Sequence, residues 1–190
     1  MDNVIQQQFD NATMLTSFQI GYAFTNDETR LVYQDAAFKK IDNADLAVLE
    51  TIAPDVNYQT LGAVGIDLYL PDTFILKAGF VTKVDLGIAW DIPIGIAGLI
   101  IPRSSNGKQE FQVVLSNGTG LIDSDYKGTL WAQFTTLSDE TITINKGERF
   151  AQIFFIPYIK AVPTELDWEV FKNSTARGTL GIGEATGSQA

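Results

Sequence analysis

The sequence predicts an all-β fold, because strand-like segments are separated by turn signals every ~8–12 residues over most of the chain. Apolar and polar residues alternate within several of these segments, as in strands that bury one face. The chain has 190 residues, of which 45% are hydrophobic and 19% are charged. That composition is typical of a folded domain with its own core. These observations favour a β-sandwich, a jelly roll or a barrel.

The elements are predicted in chain order. Alternating Phe18, Ile20, Tyr22 and Phe24 indicate a first strand, followed by a turn at 25–28 and a resumed strand at 31–33. A short helix is predicted near 35–40. Further strands are expected at 46–52, 66–70, 73–76, 80–90, 97–101, 111–115, 130–137, 141–144 and 149–159, with turn residues between them.

Both ends differ from the middle of the chain. Residues 1–44 are first rich in Gln, Asn and Asp, and we expect an N-terminal extension of unknown role, simplest as an added packed hairpin. Residues 45–172 form the predicted β domain. Residues 173–190 are rich in Gly, Ser, Thr and Ala, which cannot build a core by themselves. This segment is predicted to be a flexible arm that orders over a ligand.

Charge and composition exclude several classes of function. The formal net charge of −10 argues against a nucleic acid or an anionic membrane as the main partner. No apolar run approaches the ~18 residues of a membrane helix, and no secretory signal is predicted. We therefore expect a cytoplasmic protein, or one in the host cytoplasm if it is viral. With no His and no Cys, acid–base chemistry must depend on carboxylates, lysine or tyrosine.

The segment 120–128, Gly-Leu-Ile-Asp-Ser-Asp-Tyr-Lys-Gly, is the strongest candidate for chemistry. Asp123 follows Leu121 and Ile122 at the end of a predicted strand. A carboxylate beside apolar bulk can be held partly desolvated, which suits a general base. By itself, the same segment is equally compatible with an acidic hairpin that uses its glycines for the turn.

Other segments have the residue types that bind phosphate. Arg103 offers a planar fork of donors and Ser104 a small hydroxyl donor. The glycines that follow Arg177 would let backbone N–H groups approach phosphate oxygens. Each feature alone also fits a solvated surface turn, and Gln152 alone fits an ordinary strand residue.

Taken in order, five segments resemble the motifs of the trimeric dUTPase family: 65–69, 102–105, 117–128, 147–153 and 177–187. The resemblance covers about residues 46–188. It implies a jelly-roll-like β-barrel that hydrolyses dUTP to dUMP and pyrophosphate, with Mg²⁺ on the triphosphate. It also implies a homotrimer in which three chains build each site.

The resemblance assigns the reacting end of the substrate first. Asp123 is similar to the family's catalytic aspartate, which activates the attacking water and meets the sugar 3′-hydroxyl. Tyr126 resembles the ring that packs under the deoxyribose and excludes a 2′-hydroxyl. Asn117 and the backbone around Gly120 resemble the hairpin that binds uracil.

The phosphate end is assigned in the same way. Arg103, Ser104 and the adjacent Ser105 resemble the phosphate-binding segment, Gln152 a further phosphate contact, and Arg177 the arm arginine on the terminal phosphate. Asp67 resembles a residue near the magnesium that holds a metal-bound water.

The chain departs from the family pattern at three places. Ile182 stands where a phenylalanine normally stacks on uracil, and an isoleucine covers a base only by apolar contact. Glu184 adds a negative charge to a lengthened arm motif, which is unfavourable near a triphosphate unless it points away. Ser105 replaces a glycine, so a β-carbon stands beside the phosphates.

Two alternatives follow from the same residues. A dCTP deaminase needs a glutamate as proton shuttle on the strand after the third motif, and Gln133 stands there instead. A protein of this fold with reduced or no catalysis, kept as a regulatory or structural component, would explain the altered arm and the extension. Turnover of dUTP and dCTP discriminates among these hypotheses.

Overall fold

The structure is a computed structural model that describes residues 19–38, 56–60, 62–107 and 112–180. The predicted strand at 46–52 lies outside the described residues, as do Ile182 and Glu184. The strands are β1 (Gly21–Phe24), β2 (Ile66–Leu68), β3 (Phe74–Leu76), β4 (Thr82–Asp85), β5 (Ile88–Asp91), β6 (Ile96–Pro102), β7 (Val113–Leu115), β8 (Gly120–Ile122), β9 (Trp131–Thr136), β10 (Ile142–Ile144) and β11 (Ala151–Pro157). Within the described residues the helices are α1 (Asp27–Phe38) and α2 (Trp168–Lys172), with a 3₁₀ turn at Ser104–Gly107.

The described strands pair antiparallel throughout, which confirms the all-β prediction. They form a four-stranded sheet in the order β2-β11-β6-β8, a three-stranded sheet β4-β9-β7, and the pairs β1-β5 and β3-β10. The longest pairing joins β6 and β11, from Ala151 opposite Pro102 to Pro157 opposite Ile96. This central pair carries candidate site segments at its ends.

One apolar core lies between the sheets. Side chains alternate between buried and exposed along β9, where Ala132, Phe134 and Thr136 point inward. Phe134 is fully buried and its ring stacks on Phe74 at 5.8 Å between centroids. The period-two pattern predicted from the sequence is thus what builds the core.

The prediction for residues 25–40 is wrong in part, because a helix replaces the turn at 25–28 and the strand at 31–33. The Asn26 side chain accepts a hydrogen bond from the Thr29 N–H at 2.8 Å and caps α1. Thr29, Val32 and Tyr33 are buried at helical spacing. The polar residues that suggested a turn therefore start a helix.

The predicted strand 80–90 is two strands, separated by a turn at Gly87 with φ of 65°. The backbone N–H of Thr25 donates to the Gly87 carbonyl at 2.9 Å. A β-carbon at Gly87 would overlap the side chain of Thr29 on α1. Glycine at this turn lets β1 pair with β5 and lets α1 lie close to the β4–β5 connection.

Residues 159–180 are the described part of a second compact unit that begins at Ile159. Within it, α2 was not predicted; Asp167 caps it by accepting the Val170 N–H at 3.0 Å. None of its residues is buried. Among the described residues, no helix has the length and apolar character needed to cross a membrane.

Candidate active site

The central feature of the phosphate end is a carboxylate held between two arginines. Asp67, on β2, accepts Arg103 Nε on Oδ1 at 2.7 Å and Arg149 Nη1 on Oδ2 at 2.9 Å. Its side chain is 6% exposed, against 26% for Arg103 and 35% for Arg149. Arg103 also donates through Nη1 to the Arg149 carbonyl at 3.2 Å. The guanidinium of Arg103 is therefore fixed on one edge, and its remaining N–H donors are left to face a ligand.

Gln152 lies beside this cluster. It stands opposite Asp67 on one side and Ile101 on the other, so β11 places it between β2 and β6. Its Nε2 donates to the Pro102 carbonyl at 3.3 Å. A β-carbon at Gly65 would overlap the Gln152 amide, so glycine in the first motif makes room for the glutamine in the fourth.

The 3₁₀ turn that follows Arg103 presents Ser104 and Ser105. Ser104 is exposed and Ser105 is half-buried. Ser105 does not have a positive φ, so serine is compatible with this backbone and the position does not require glycine. Asn106 is buried, and its Nδ2 donates to the Phe150 carbonyl at 2.5 Å, which fixes the turn to the start of β11.

Asn117 and Gly120 form the turn between β7 and β8. The Thr119 N–H donates to the Asn117 carbonyl at 2.8 Å, and Gly118 has φ of 69°. Asn117 is exposed, and Gly120 pairs with Ile100 on β6. The turn therefore presents exposed backbone and amide groups, which suits recognition of a base edge.

Asp123 and Tyr126 lie in the loop directly after β8. The Tyr126 hydroxyl donates to the Thr129 carbonyl at 2.7 Å, and the Tyr126 N–H donates to the Asp123 carbonyl at 3.2 Å. Tyr126 is 41% exposed and Asp123 is exposed. Within the single chain Asp123 is not desolvated, so the partly desolvated carboxylate stays a prediction that needs substrate or a neighbouring chain to cover it.

The two ends of the site lie at opposite ends of β6. Ile122 pairs with Gly98 and Gly120 with Ile100, so continuing this register places Asp123 opposite Ala97. Arg103 follows the other end of β6, six residues further along the strand, which corresponds to roughly 20 Å. The Ser124 hydroxyl lies 3.4 Å from the Tyr158 hydroxyl, and the Tyr158 N–H donates to the Gly95 carbonyl at 3.0 Å. These contacts keep the loop at the Gly95 end.

A family model described as dUTPase matches residues 51–186 of this chain. The chain belongs to the dUTPase family. The dUTPase match leaves residues 1–50 outside it, including β1 and α1.

Named relatives agree with this assignment. A deoxyuridine 5′-triphosphate nucleotidohydrolase of Gamma-proteobacterium EBAC31A08 is 37% identical over 70% of this chain and 94% of its own length. The enzyme of the same name from Pectobacterium carotovorum is 41% identical over 57% of this chain and 72% of its own length.

Solved dUTPase structures share the fold. The Streptococcus mutans dUTPase superposes with a TM-score of 0.57 at 26% identity, over 75% of this chain and 99% of that one. A mutant dUTPase of Staphylococcus bacteriophage 80alpha with dUpNHpp gives a TM-score of 0.62 at 18% identity, over 89% of this chain and 99% of that one. The all-β, jelly-roll-like prediction is confirmed.

The C-terminal segment, predicted to be an arm, is described as far as residue 180. Arg177 is exposed and its Nε donates to the Leu180 carbonyl at 3.0 Å within the same unit. Gly178 has φ of 52°, so a glycine suits the turn that follows Arg177.

Asp67 has the chemistry expected of a residue near a magnesium ion. No group of three or more carboxylate, His or Cys side chains converges among the described residues, so they offer no protein cage for a metal. Mg²⁺ prefers oxygen ligands and keeps several waters. Each Asp67 oxygen has a second acceptor position beside its arginine, which could hold a metal-bound water. The chemistry of Asp67 therefore fits its predicted place near the ion.

Sequence reasoning missed Arg149 and Asn106 as site residues. Arg149 stands inside the fourth motif, which was the signal that could have pointed to it; its pairing with Asp67 depends on the fold. Asn106 gave no comparable signal, because its role depends on the proximity of Phe150 in the fold.

Proposed function

We propose that this chain hydrolyses dUTP to dUMP and pyrophosphate. The observation that supports it best is the loop after β8, where Asp123 and Tyr126 stand in a chain of the dUTPase family. The Tyr126 hydroxyl donates to the Thr129 carbonyl, so the ring is held within the same loop as Asp123.

Asp123 would accept a proton from the attacking water. The new bond joins the water oxygen to the α-phosphorus, and the bond from that phosphorus to the bridging oxygen breaks as pyrophosphate leaves. The ring of Tyr126 would pack under the deoxyribose and leave no space for a 2′-hydroxyl. Asn117 and the backbone near Gly120 would bind the uracil edge.

The phosphate end would neutralise charge on the leaving group. Arg103 would use the N–H donors that Asp67 and Arg149 do not occupy, with Ser104, Ser105 and Gln152 beside it. Arg177 would bind the terminal phosphate, and Ile182 would cover the uracil. When bound, Mg²⁺ would supply further charge neutralisation on the triphosphate.

A complete site needs more than one chain. Asp123 and Arg103 lie at opposite ends of β6. Their separation within one chain is much larger than the distance from the α-phosphorus of dUTP to its terminal phosphate. We therefore propose the homotrimer of the family, in which Asp123 and Tyr126 come from one chain, Arg103 and Gln152 from another, and Arg177 from the third. Residues 45–172 would be the catalytic domain and residues 173–190 the arm. The enzyme would act in the cytoplasm, where nucleotides are made.

The direct test follows products from purified protein with Mg²⁺ and either dUTP or dCTP. We expect dUMP and pyrophosphate from dUTP, and no ammonia from dCTP, because the neutral amide of Gln133 cannot shuttle a proton. Ammonia release would favour a deaminase. An intact trimer without turnover would favour the binding protein instead.

The shared site has its own test. Asp123→Asn and Arg103→Ala chains, each inactive alone, are unfolded together and refolded as a mixture. In a closed ring of random composition, about a quarter of sites receive an intact Asp123 and an intact Arg103 from different chains. Recovery towards that fraction supports the shared site, whereas a mixture that stays inactive contradicts it.

A further inference from the structure

The helix α1 lies outside the dUTPase match, yet its tyrosine reaches the phosphate end of the site. Tyr33 is fully buried, and its hydroxyl accepts the Tyr69 N–H at 3.1 Å. Tyr69 directly follows β2 and stands two residues after Asp67. The hydroxyl therefore fixes the backbone next to the carboxylate that holds Arg103.

A second route runs through the rings. The rings of Tyr33 and Tyr69 meet edge to face with centroids 4.7 Å apart. The guanidinium of Arg149 lies over the Tyr69 ring, with its central carbon 5.5 Å from the centroid. Arg149 in turn holds Asp67 and, through its carbonyl, Arg103.

Tyr33 is itself firmly placed. Its ring also packs against Phe24 of β1 at 5.0 Å between centroids. Burial holds the pKa of the Tyr33 hydroxyl far above its usual range, against the opposing effect of the Tyr69 amide. The hydroxyl is therefore held in its neutral form, and its oxygen accepts the Tyr69 N–H.

We infer that α1 is a positioning element for the phosphate end: Tyr33 holds Tyr69, which orients Arg149 and Asp67, and these orient Arg103 for the triphosphate. The inference rests on the proposed function, since it takes Arg103 as a phosphate ligand. It assigns a role to the part of the extension that the structure describes. Tyr33 acts through other residues and does not touch substrate.

The test separates phosphate binding from base and sugar binding. Affinity is measured for an α,β-imido analogue of dUTP, which has the phosphates, and for 2′-deoxyuridine, which has none. Tyr33→Phe removes one hydrogen bond, so we expect the imido analogue to bind about three- to tenfold more weakly. Affinity for deoxyuridine should stay within about twofold of the parent chain. Tyr22→Phe is the matched control, because Tyr22 lies on β1 and its ring contacts Phe24 and Trp90 rather than Tyr69.

An unchanged ratio of the two affinities in folded Tyr33→Phe would overturn the inference, as would an equal loss for both ligands. If Tyr33→Phe does not fold, Arg149→Lys tests the same relay, because lysine keeps the charge and loses the planar contact with Tyr69. A parental ratio in Arg149→Lys then overturns it. Failure of the proposed function is recognised separately, as a parent chain that does not hydrolyse dUTP.

Discussion

The two ends of β6 differ in how completely one chain builds them. At the Pro102 end, Asp67 is 6% exposed and bonded to two arginines. At the Gly95 end, Asp123 is exposed and Tyr126 is 41% exposed, although the loop itself is well bonded. One end is organised within the chain, whereas the other presents its side chains to solvent.

The difference suggests that the Pro102 end binds phosphate and the Gly95 end performs the proton transfer. Phosphate binding needs several donors held in place, and partly buried ion pairs supply that rigidity. A general base needs a controlled environment around the reacting water, and the exposed Asp123 must gain it from substrate and neighbouring chains. We therefore expect substitutions at the two ends to affect different kinetic steps.

The largest effect is expected at the exposed end. Asp123→Asn should lower kcat by ~10²–10⁴-fold, because the amide cannot accept the proton of the water. Affinity for the imido analogue should be preserved, as isothermal titration would show. Asp125→Asn in the same loop is the control. Normal turnover by Asp123→Asn would show that Asp123 is not the general base.

The next largest effect is expected at the buried end. Asp67→Asn leaves two guanidinium groups without their carboxylate and should lower the free energy of unfolding by about 2–3 kcal/mol. It should also weaken binding of the imido analogue more than binding of deoxyuridine. The exposed Asp139→Asn controls for general effects of charge. Denaturant melts that match the parent chain would show that the cluster is dispensable.

Tyr126→Ala tests the proposed sugar contact at the exposed end. Removal of the ring opens space for a 2′-hydroxyl, so the preference for dUTP over UTP in kcat/KM should fall about tenfold or more. Tyr126→Phe keeps the ring and should keep the preference. An alanine variant that still rejects UTP would show that another group excludes the 2′-hydroxyl.

The arm should produce a smaller effect. Ile182→Phe supplies the aromatic ring that the family pattern has at this position and should leave kcat/KM equal or higher, by about a fewfold. Leu180→Phe adds the same ring elsewhere in the arm and should bring no gain. A large loss in Ile182→Phe would mean that the isoleucine is specifically fitted to this site.

The smallest effect is expected from Lys127, which binds Asp91 at 2.6 Å and the Ser124 carbonyl at 3.2 Å. Both side chains of the ion pair are largely exposed, and such pairs are weak and screened by salt. Lys127→Ala should change kcat less than about twofold. A loss comparable to that of Asp123→Asn would show that the loop depends on this contact.

Much of the fold follows from local pattern. The strand expected at 130–137 is confirmed by β9, which buries alternate side chains along its length. The error at 25–33 has a physical cause: Asn, Asp and Glu start helices as readily as turns, and Gly87 is what leaves room for α1. Gly87 lies among apolar residues in the segment 80–90, so the sequence predicted one strand where the structure has β4 and β5.

The candidate site shows the same limit. Residues such as Asp123, Arg103 and Gln152 could be selected from their motifs, because chemistry restricts which residue types serve. Their separation along β6, the two arginines on Asp67 and the contact of Tyr33 with Tyr69 depend on strand register and packing between distant segments.

The sequence by itself determined the family, the strand pattern and the kinds of chemistry available to a chain without His or Cys. The tertiary structure decided which end of β6 holds each group, and that Asp123 is exposed while Asp67 is buried. The reason is that residue type and periodicity are local properties, whereas burial and distance arise only when strands pair across the fold.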